Sequence, residues 1–222
     1  MHILSFVIFS LLLSGIITNI VYAQPNRKIE SITIPFDAAN TEFSSREHYS
    51  FASKHIANWI VNIQNKLQYN EANQDAKVVL RLKENPEAEN FVEIVMFSPP
   101  SYKLVISIAN EHVGYMRMYE GEESWFTDRS VTASLVQNER LSINNGQRTV
   151  VDRLRIGEFT LGTLEVFGRE SLDDEVNAIA GEIVVYVMSG NPLDNPILMV
   201  PWIVTAIAGG TVIALLFIKK RT

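Results

Sequence analysis

The sequence predicts a mainly β fold: a two-sheet antiparallel sandwich, jelly-roll-like, with one helical insertion and an apolar helix at each end. Three observations carry this. Between residues 24 and 195 apolar side chains mostly recur with period two, as half-buried strands require. About ten such runs follow one another at short spacing, which favours antiparallel sheets over a parallel α/β arrangement. The uncharged stretches are confined to residues 1–23 and 196–218.

Residues 1–23 read as a signal peptide. Ile3 to Val21 is almost wholly apolar, and Val21, Tyr22 and Ala23 offer small or branched residues at −3 and −1 for cleavage after Ala23. The segment has no Lys or Arg ahead of it, so retention as an anchor is the alternative. The exported domain, 24–189, opens with a strand through Ile32, Ile34 and Phe36. In Ser44 to Tyr69 the residues Ile56, Trp59, Ile60, Ile63 and Leu67 fall at helical spacing, and Ser44 with Glu47 has the capping-box form, so a helix is expected. A strand over Ala57 to Ile63 is the alternative.

Val78, Leu80 and Leu82 alternate with Lys77, Arg81 and Lys83, which are expected to face outward. Phe91 to Phe97, apolar on both faces, reads as a central strand. Prolines 99 and 100 break pairing before Leu104, Ile106 and Ile108, because proline lacks the backbone donor. A turn at Asn110, Glu111 and His112 leads into Val113 to Tyr119, which predicts a hairpin. Asn145-Gly146 is the strongest hairpin signal, as both residues tolerate the positive φ of a type I′ turn. Further strands are expected at 130–136, 140–143, 149–156, 159–167 and 181–188.

A juxtamembrane linker, 190–196, stiffened by Pro192 and Pro196, precedes 22 uncharged residues, 197–218. At 1.5 Å per residue these reach about 33 Å, enough for a hydrocarbon core of roughly 30 Å. Trp202 suits the interface and Lys219, Lys220 and Arg221 the cytoplasmic side, so 219–222 is expected inside and the domain outside. Ala206, Gly210 and Ala214 put small side chains on one stripe of that helix, a candidate packing face for a membrane-protein partner or a second copy.

Composition narrows the function. The chain has 222 residues, no Cys, 19 basic and 25 acidic side chains, and residues 24–195 hold 16 of the former and all of the latter, a formal charge of −9. That excludes a basic nucleic-acid binder, a thiolate metal site, a disulfide scaffold and a soluble cytosolic enzyme. None of the familiar local catalytic signatures is present, so the protein is expected not to be an enzyme. His48, His55 and His112 are read as surface or capping residues. No cofactor is expected, although the oxygens of the acidic loops Glu120–Asp128 and Glu170–Glu175 would suit Ca²⁺.

Tyr115, Tyr119 and Trp125 crowd the first acidic loop beside Glu122. Aromatic faces next to carboxylates are how a sandwich domain holds a sugar, so these four residues are the candidate ligand site. Leu164, Glu165, Val166, Phe167 and Gly168 resemble the closing strand of discoidin-like galactose-binding domains, over five to eight residues; that resemblance implies a sandwich binding carbohydrate or lipid headgroups. The order of signal, surface domain, apolar helix and basic end also resembles prokaryotic cell-surface proteins with C-terminal sorting tails, without a sorting motif, which implies a plain membrane anchor. The expected function is therefore a non-enzymatic, single-pass surface protein that binds a partner near the membrane, as an accessory subunit of a membrane complex. A carbohydrate-binding module is the alternative, and a hydrolase using Glu122 and Asp128 the third reading.

Overall fold

In the computed structural model, residues 28–189 are described, except 53–55, 112–113, 137–138 and 172. The signal segment, His55, His112, the linker, the helix of 197–218 and its Ala206, Gly210, Ala214 stripe lie outside them. Among the described residues no helix is long and apolar enough to cross a membrane.

Fourteen strands form: β1 (Lys28–Pro35), β2 (Glu47–Ser50), β3 (Trp59–Asn65), β4 (Gln68–Tyr69), β5 (Lys77–Lys83), β6 (Phe91–Phe97), β7 (Leu104–Asn110), β8 (Gly114–Gly121), β9 (Val131–Val136), β10 (Arg140–Asn144), β11 (Thr149–Arg155), β12 (Thr163–Phe167), β13 (Ala178–Ala180) and β14 (Glu182–Ser189). Among the described residues helix is limited to two short 3₁₀ turns, Phe36–Asn40 and Phe43–Ser45. One six-stranded sheet has the order β1-β14-β3-β9-β10-β11 and the other β2-β12-β5-β6-β7-β8, with β13 and β4 as a small pair. Every ladder between these strands is antiparallel.

The alternation that predicts the strands also builds the core. Ile34, Val61, Ile63, Leu135, Ile183 and Val185 from the first sheet meet Val78, Leu80, Ile94, Ile106 and Leu164 from the second in one buried cluster. This sandwich-like arrangement buries each sheet's apolar face against the other, which is the ordinary reason two half-apolar sheets pair.

Four expectations are corrected. The helix over 44–69 is absent: this stretch gives β2, β3 and β4. Trp59, Val61, Ile63 and Asn65 are buried while Ile60, Asn62 and Gln64 are only partly so, a period of two. The helical reading counted Ile60 as core and passed over Val61, and the β-branched content of the run favours the extended chain. Ser44 and Glu47 do not cap; the Ser44 hydroxyl donates to Glu42 and the Glu47 carboxylate accepts from Tyr49.

The hairpin at Asn145-Gly146 forms between β10 and β11, but as a four-residue loop. Only Gly146 has positive φ, at 90°, while the Asn145 side-chain oxygen accepts from the N–H groups of Gln147 and Arg148. Lys83 is not a solvated face residue but buried. The strand expected at 159–167 shortens to β12, which lies between β2 and β5, and the strand expected at 181–188 follows it as β14.

Candidate functional site

Each core-facing residue of the second sheet leaves its strand neighbour on the outer face, and antiparallel register sorts those neighbours into lines running across the strands. In one line Glu165 of β12 stands opposite Arg81 of β5, Arg81 opposite Glu93 of β6, Glu93 opposite Ser107 of β7, and Ser107 opposite Arg117 of β8. His48 of β2 continues it past Glu165. Two residues along, a second line is almost purely apolar: Phe167, Val79, Val95 and Val105, ending at Glu120. On the far side Lys83, Phe91, Ala109 and Tyr115 are matched in the same way. From β12 to β8 these lines cross four interstrand spacings, about 19 Å.

Val79, Val95, Val105 and Phe167, with Phe97 against them, form a small apolar cluster separate from the main core. It is the floor of an open groove of about 360 Å³ bordered by Lys77, Arg81, Glu93, Lys103, Arg117 and Glu120. That size lies within the usual range of small-ligand sites, roughly 300–1,000 Å³.

The polar border is fixed in place. Arg81 Nε donates to Glu93 Oε2 at 2.7 Å, and its guanidinium lies 4.4, 4.9 and 5.1 Å from the ring centroids of Phe91, Phe43 and Phe167. Three ring faces and a carboxylate leave this cation little freedom. The Tyr115 hydroxyl reaches Glu93 Oε1 at 3.4 Å. The Ser107 hydroxyl, between Glu93 and Arg117, is buried and has no hydrogen-bond partner among the described residues.

On an unbroken strand residues three apart face opposite ways, yet Arg117 and Glu120 both stand on the groove side. A bulge in β8, where Ile106 faces Tyr119 but Ser107 faces Arg117, inserts the extra residue that makes this possible. Arg117 and Lys103 then both donate to the Glu120 carboxylate. Their hydrogen bonds, that of Lys103 first, hold Glu120 below the usual carboxylate range.

The β12 side of the face is walled by the turn Phe43–Ser45 and Arg46. The Phe43 ring meets Phe167 edge-on at 5.3 Å and Arg46 lies over Phe43 at 4.3 Å. Beneath, the wholly buried Glu165 gathers Lys83 at 2.8 Å, Arg46 at 3.2 Å and His48 at 3.6 Å on one oxygen. Past the end of β12 the groove runs into a larger hollow of about 620 Å³ lined by Asn73, Arg169, Glu170, Asp174 and Glu175. Gly168 makes the turn between them: a Cβ there would stand 2.2 Å from the Ala39 carbonyl oxygen and 2.5 Å from that of Lys77.

Of the four residues expected to form a ligand site, Tyr115 stands on this outer face, 65% exposed. The same bulge that brings Glu120 outward turns Tyr119 the other way, against the main core, with its hydroxyl 2.8 Å from Ser124 Oγ. Trp125 is a core residue, 1% exposed, donating from Nε1 to the Phe97 carbonyl and packed against Tyr102 and Tyr69. Glu122 is exposed in the following loop. The four therefore do not share one surface. The sequence reading missed Arg81, Glu93, Ser107, Arg117 and Phe167; the one signal for them was Glu93, a lone carboxylate inside an otherwise apolar strand. Among the described residues no three His, Asp or Glu side chains come together to hold a metal ion.

No protein-family model matches the sequence, and no curated protein matches it. Among solved structures, the chain is similar to a fructofuranosidase from Schwanniomyces occidentalis complexed with fructose, at 9% identity and TM-score 0.45, over 75% of this chain and 35% of that one. Sheep galectin-11 in complex with glycerol matches at 9% identity and TM-score 0.38, over 62% of this chain and 96% of the galectin. The carbohydrate-binding module CBM66 from Bacillus subtilis matches at 10% identity and TM-score 0.37, over 71% of this chain and 95% of the module. The chain spans about a third of the length of the fructofuranosidase.

Proposed function

We propose that the described domain is a non-catalytic carbohydrate-binding module that takes a glycan along the outer face of its second sheet. The observation that carries this is the side-by-side run of the apolar line Phe167–Val79–Val95–Val105 and the polar line Arg81–Glu93–Ser107–Arg117. A sugar ring has the same division, a C–H face and a hydroxyl edge. The valine strip with Tyr115 and Phe91 suits the first, and the Arg81–Glu93 pair with the exposed Arg117 suits the second.

A binding role without hydrolysis fits the carboxylates on this face. A glycosidase acid must hold its proton near neutral pH. Glu120 is shifted the opposite way by Lys103 and Arg117, and Glu93 is engaged by Arg81. The membrane partner expected from the sequence drew on Ala206, Gly210 and Ala214, outside the described residues, so the reading moves to a ligand that the described face can hold. We propose residues 197–218 as its tether to a membrane, for which resistance of the full chain to alkaline carbonate extraction is the check.

The test is titration of the full-length protein in mild detergent with a panel of soluble oligosaccharides, alongside the Val105→Lys variant. Val105 stands in the small outer cluster apart from the main core, 7% exposed, so a lysine there blocks the strip, and thermal unfolding of the variant checks that it folds. Saturable binding to at least one glycan, lost in Val105→Lys, with no release of reducing ends, is the expected result. A folded protein that binds none of the panel overturns the reading.

A further inference from the structure

The groove has a charge of its own that runs against the domain around it. Residues 24–195 carry a formal charge of −9, yet the ionisable side chains around the apolar floor are five cations, Lys77, Arg81, Lys103, Arg117 and Arg169, against three carboxylates, Glu93, Glu120 and Glu170. Pairing does not cancel the difference at the β7–β8 end. Arg81 is matched by Glu93 and Lys77 by Glu170, but Lys103 and Arg117 share the single carboxylate of Glu120. One positive charge is therefore in excess beside Val105 and Ser107, and the Arg117 side chain is 59% exposed, free to turn toward a ligand.

The other end has the opposite sign. In the adjoining hollow Asp75, Asp174, Glu175 and Glu170 outnumber Lys77 and Arg169. The groove is thus polar along its length, cation-rich toward β8 and acidic past the end of β12. Such a gradient discriminates by attraction at one end and repulsion at the other, and a glycan with anionic groups on every unit would meet the acidic hollow.

On the premise that this face binds carbohydrate, we propose that its ligand is a glycan bearing an anionic substituent, a carboxylate or a sulfate, seated between Lys103 and Arg117 at the β8 end, with its uncharged portion extending over the valine strip. Arg117 supplies a planar fork of donors for the anion and Lys103 a point charge. Glu120 acts as an internal competitor: its carboxylate holds the two cations together in the empty groove and is what the incoming anion displaces.

This gives a variant that should bind better. Glu120→Gln keeps the shape and removes the competing charge, whereas Arg117→Gln removes the fork; both residues are at the surface, and Arg153→Gln, on the exposed face of β11, is the control. The probes are three tetrasaccharides titrated into the full-length protein: hyaluronan, with carboxylates alone, κ-carrageenan, with sulfates alone, and neutral chitotetraose. At low salt an anionic probe should bind at least about tenfold tighter than the neutral one, a difference of about 1.4 kcal/mol. That preference should shrink toward unity in Arg117→Gln, rise in Glu120→Gln, stay as it is in Arg153→Gln, and fall as salt is raised from about 0.01 to 0.15 M. Hyaluronan and κ-carrageenan, each anionic on every second unit, separate carboxylate from sulfate. Chitotetraose bound as tightly as either anion, or a Glu120→Gln variant with no gain, overturns the proposal and leaves the carbohydrate reading standing. Failure of all three probes to bind overturns both.

Discussion

Lys83 reaches from β5 to place its Nζ 2.8 Å from Oε1 of Glu165 on β12, and both side chains are buried beneath the wall that Phe43 and Arg46 build over the groove. The ammonium also donates to the Pro86 carbonyl, while Oε2 of Glu165 has no partner among the described residues. This pair ties β12 to β5 next to the edge strand β2 of the second sheet.

Breaking the pair from one side leaves a buried ammonium unmatched. Glu165→Ala should destabilise the protein by about 3–5 kcal/mol. The double variant Lys83→Met/Glu165→Leu, which removes both charges, should recover most of that loss. Urea denaturation of the three proteins checks both statements, and a single variant as stable as the parent would show the pair to be dispensable.

Tyr115 and Trp125, grouped together by sequence, should separate in the laboratory. Trp125 lies in the core between Tyr69 and Tyr102, so Trp125→Ala should cost about 3–5 kcal/mol and lower the melting temperature markedly. Tyr115→Ala, at an exposed site, should alter stability by no more than about 0.5 kcal/mol. It should nevertheless weaken glycan binding by about tenfold, because the ring closes one side of the groove. Calorimetry read beside ligand titration separates the two effects.

Alkaline pH should destabilise the fold through Tyr69. Burial pushes its hydroxyl far above the ordinary value of about 10, against a smaller opposing contribution from the Asn65 amide that donates to it. Between the ordinary and the folded value the unfolded chain has lost the proton and the folded chain keeps it. The stability contribution is thus complete below pH ~10 and declines as pH rises through and beyond it. At pH 11 the loss should be about 1.4 kcal/mol. Denaturation midpoints at pH 9, 10 and 11 should fall in the parent and fall less steeply in Tyr69→Phe.

Gly168 joins the groove to the acidic hollow and leaves no space for a side chain. Gly168→Ala would drive a methyl against the carbonyls of Ala39 and Lys77 and should cost about 1–3 kcal/mol. The loss should appear as a melting temperature several degrees lower. An unchanged midpoint would mean that the turn relaxes without cost.

Local alternation makes the sheets legible in the amino-acid sequence. Val78, Leu80 and Leu82 announce β5 because every second side chain must be buried, and the turn at Asn110–Glu111 announces the β7–β8 hairpin for equally local reasons. The site is not legible in the same way, because it depends on which strands become neighbours. Nothing near Arg81 in the chain states that Glu93, Ser107 and Arg117 will line up beside it; that follows from three successive registers. The bulge in β8 is a further displacement of one residue, and it reverses the facing of Tyr119 and Glu120 relative to Tyr115. Strand β3 shows the opposite weakness, a run whose apolar residues satisfy both periods, so that helix and strand stand as alternatives until burial decides between them.

The first and last strands pair edge to edge, with Lys28 opposite Ser189. The backbone thus enters and leaves the domain one strand spacing apart, about 4.8 Å. The 162 residues from Lys28 to Ser189 therefore begin and end side by side on one sheet. Tension applied between Lys28 and Ser189 would fall on their rung before any other and open β1 from β14 one pair at a time, while the outer face of the second sheet stays out of the line of load.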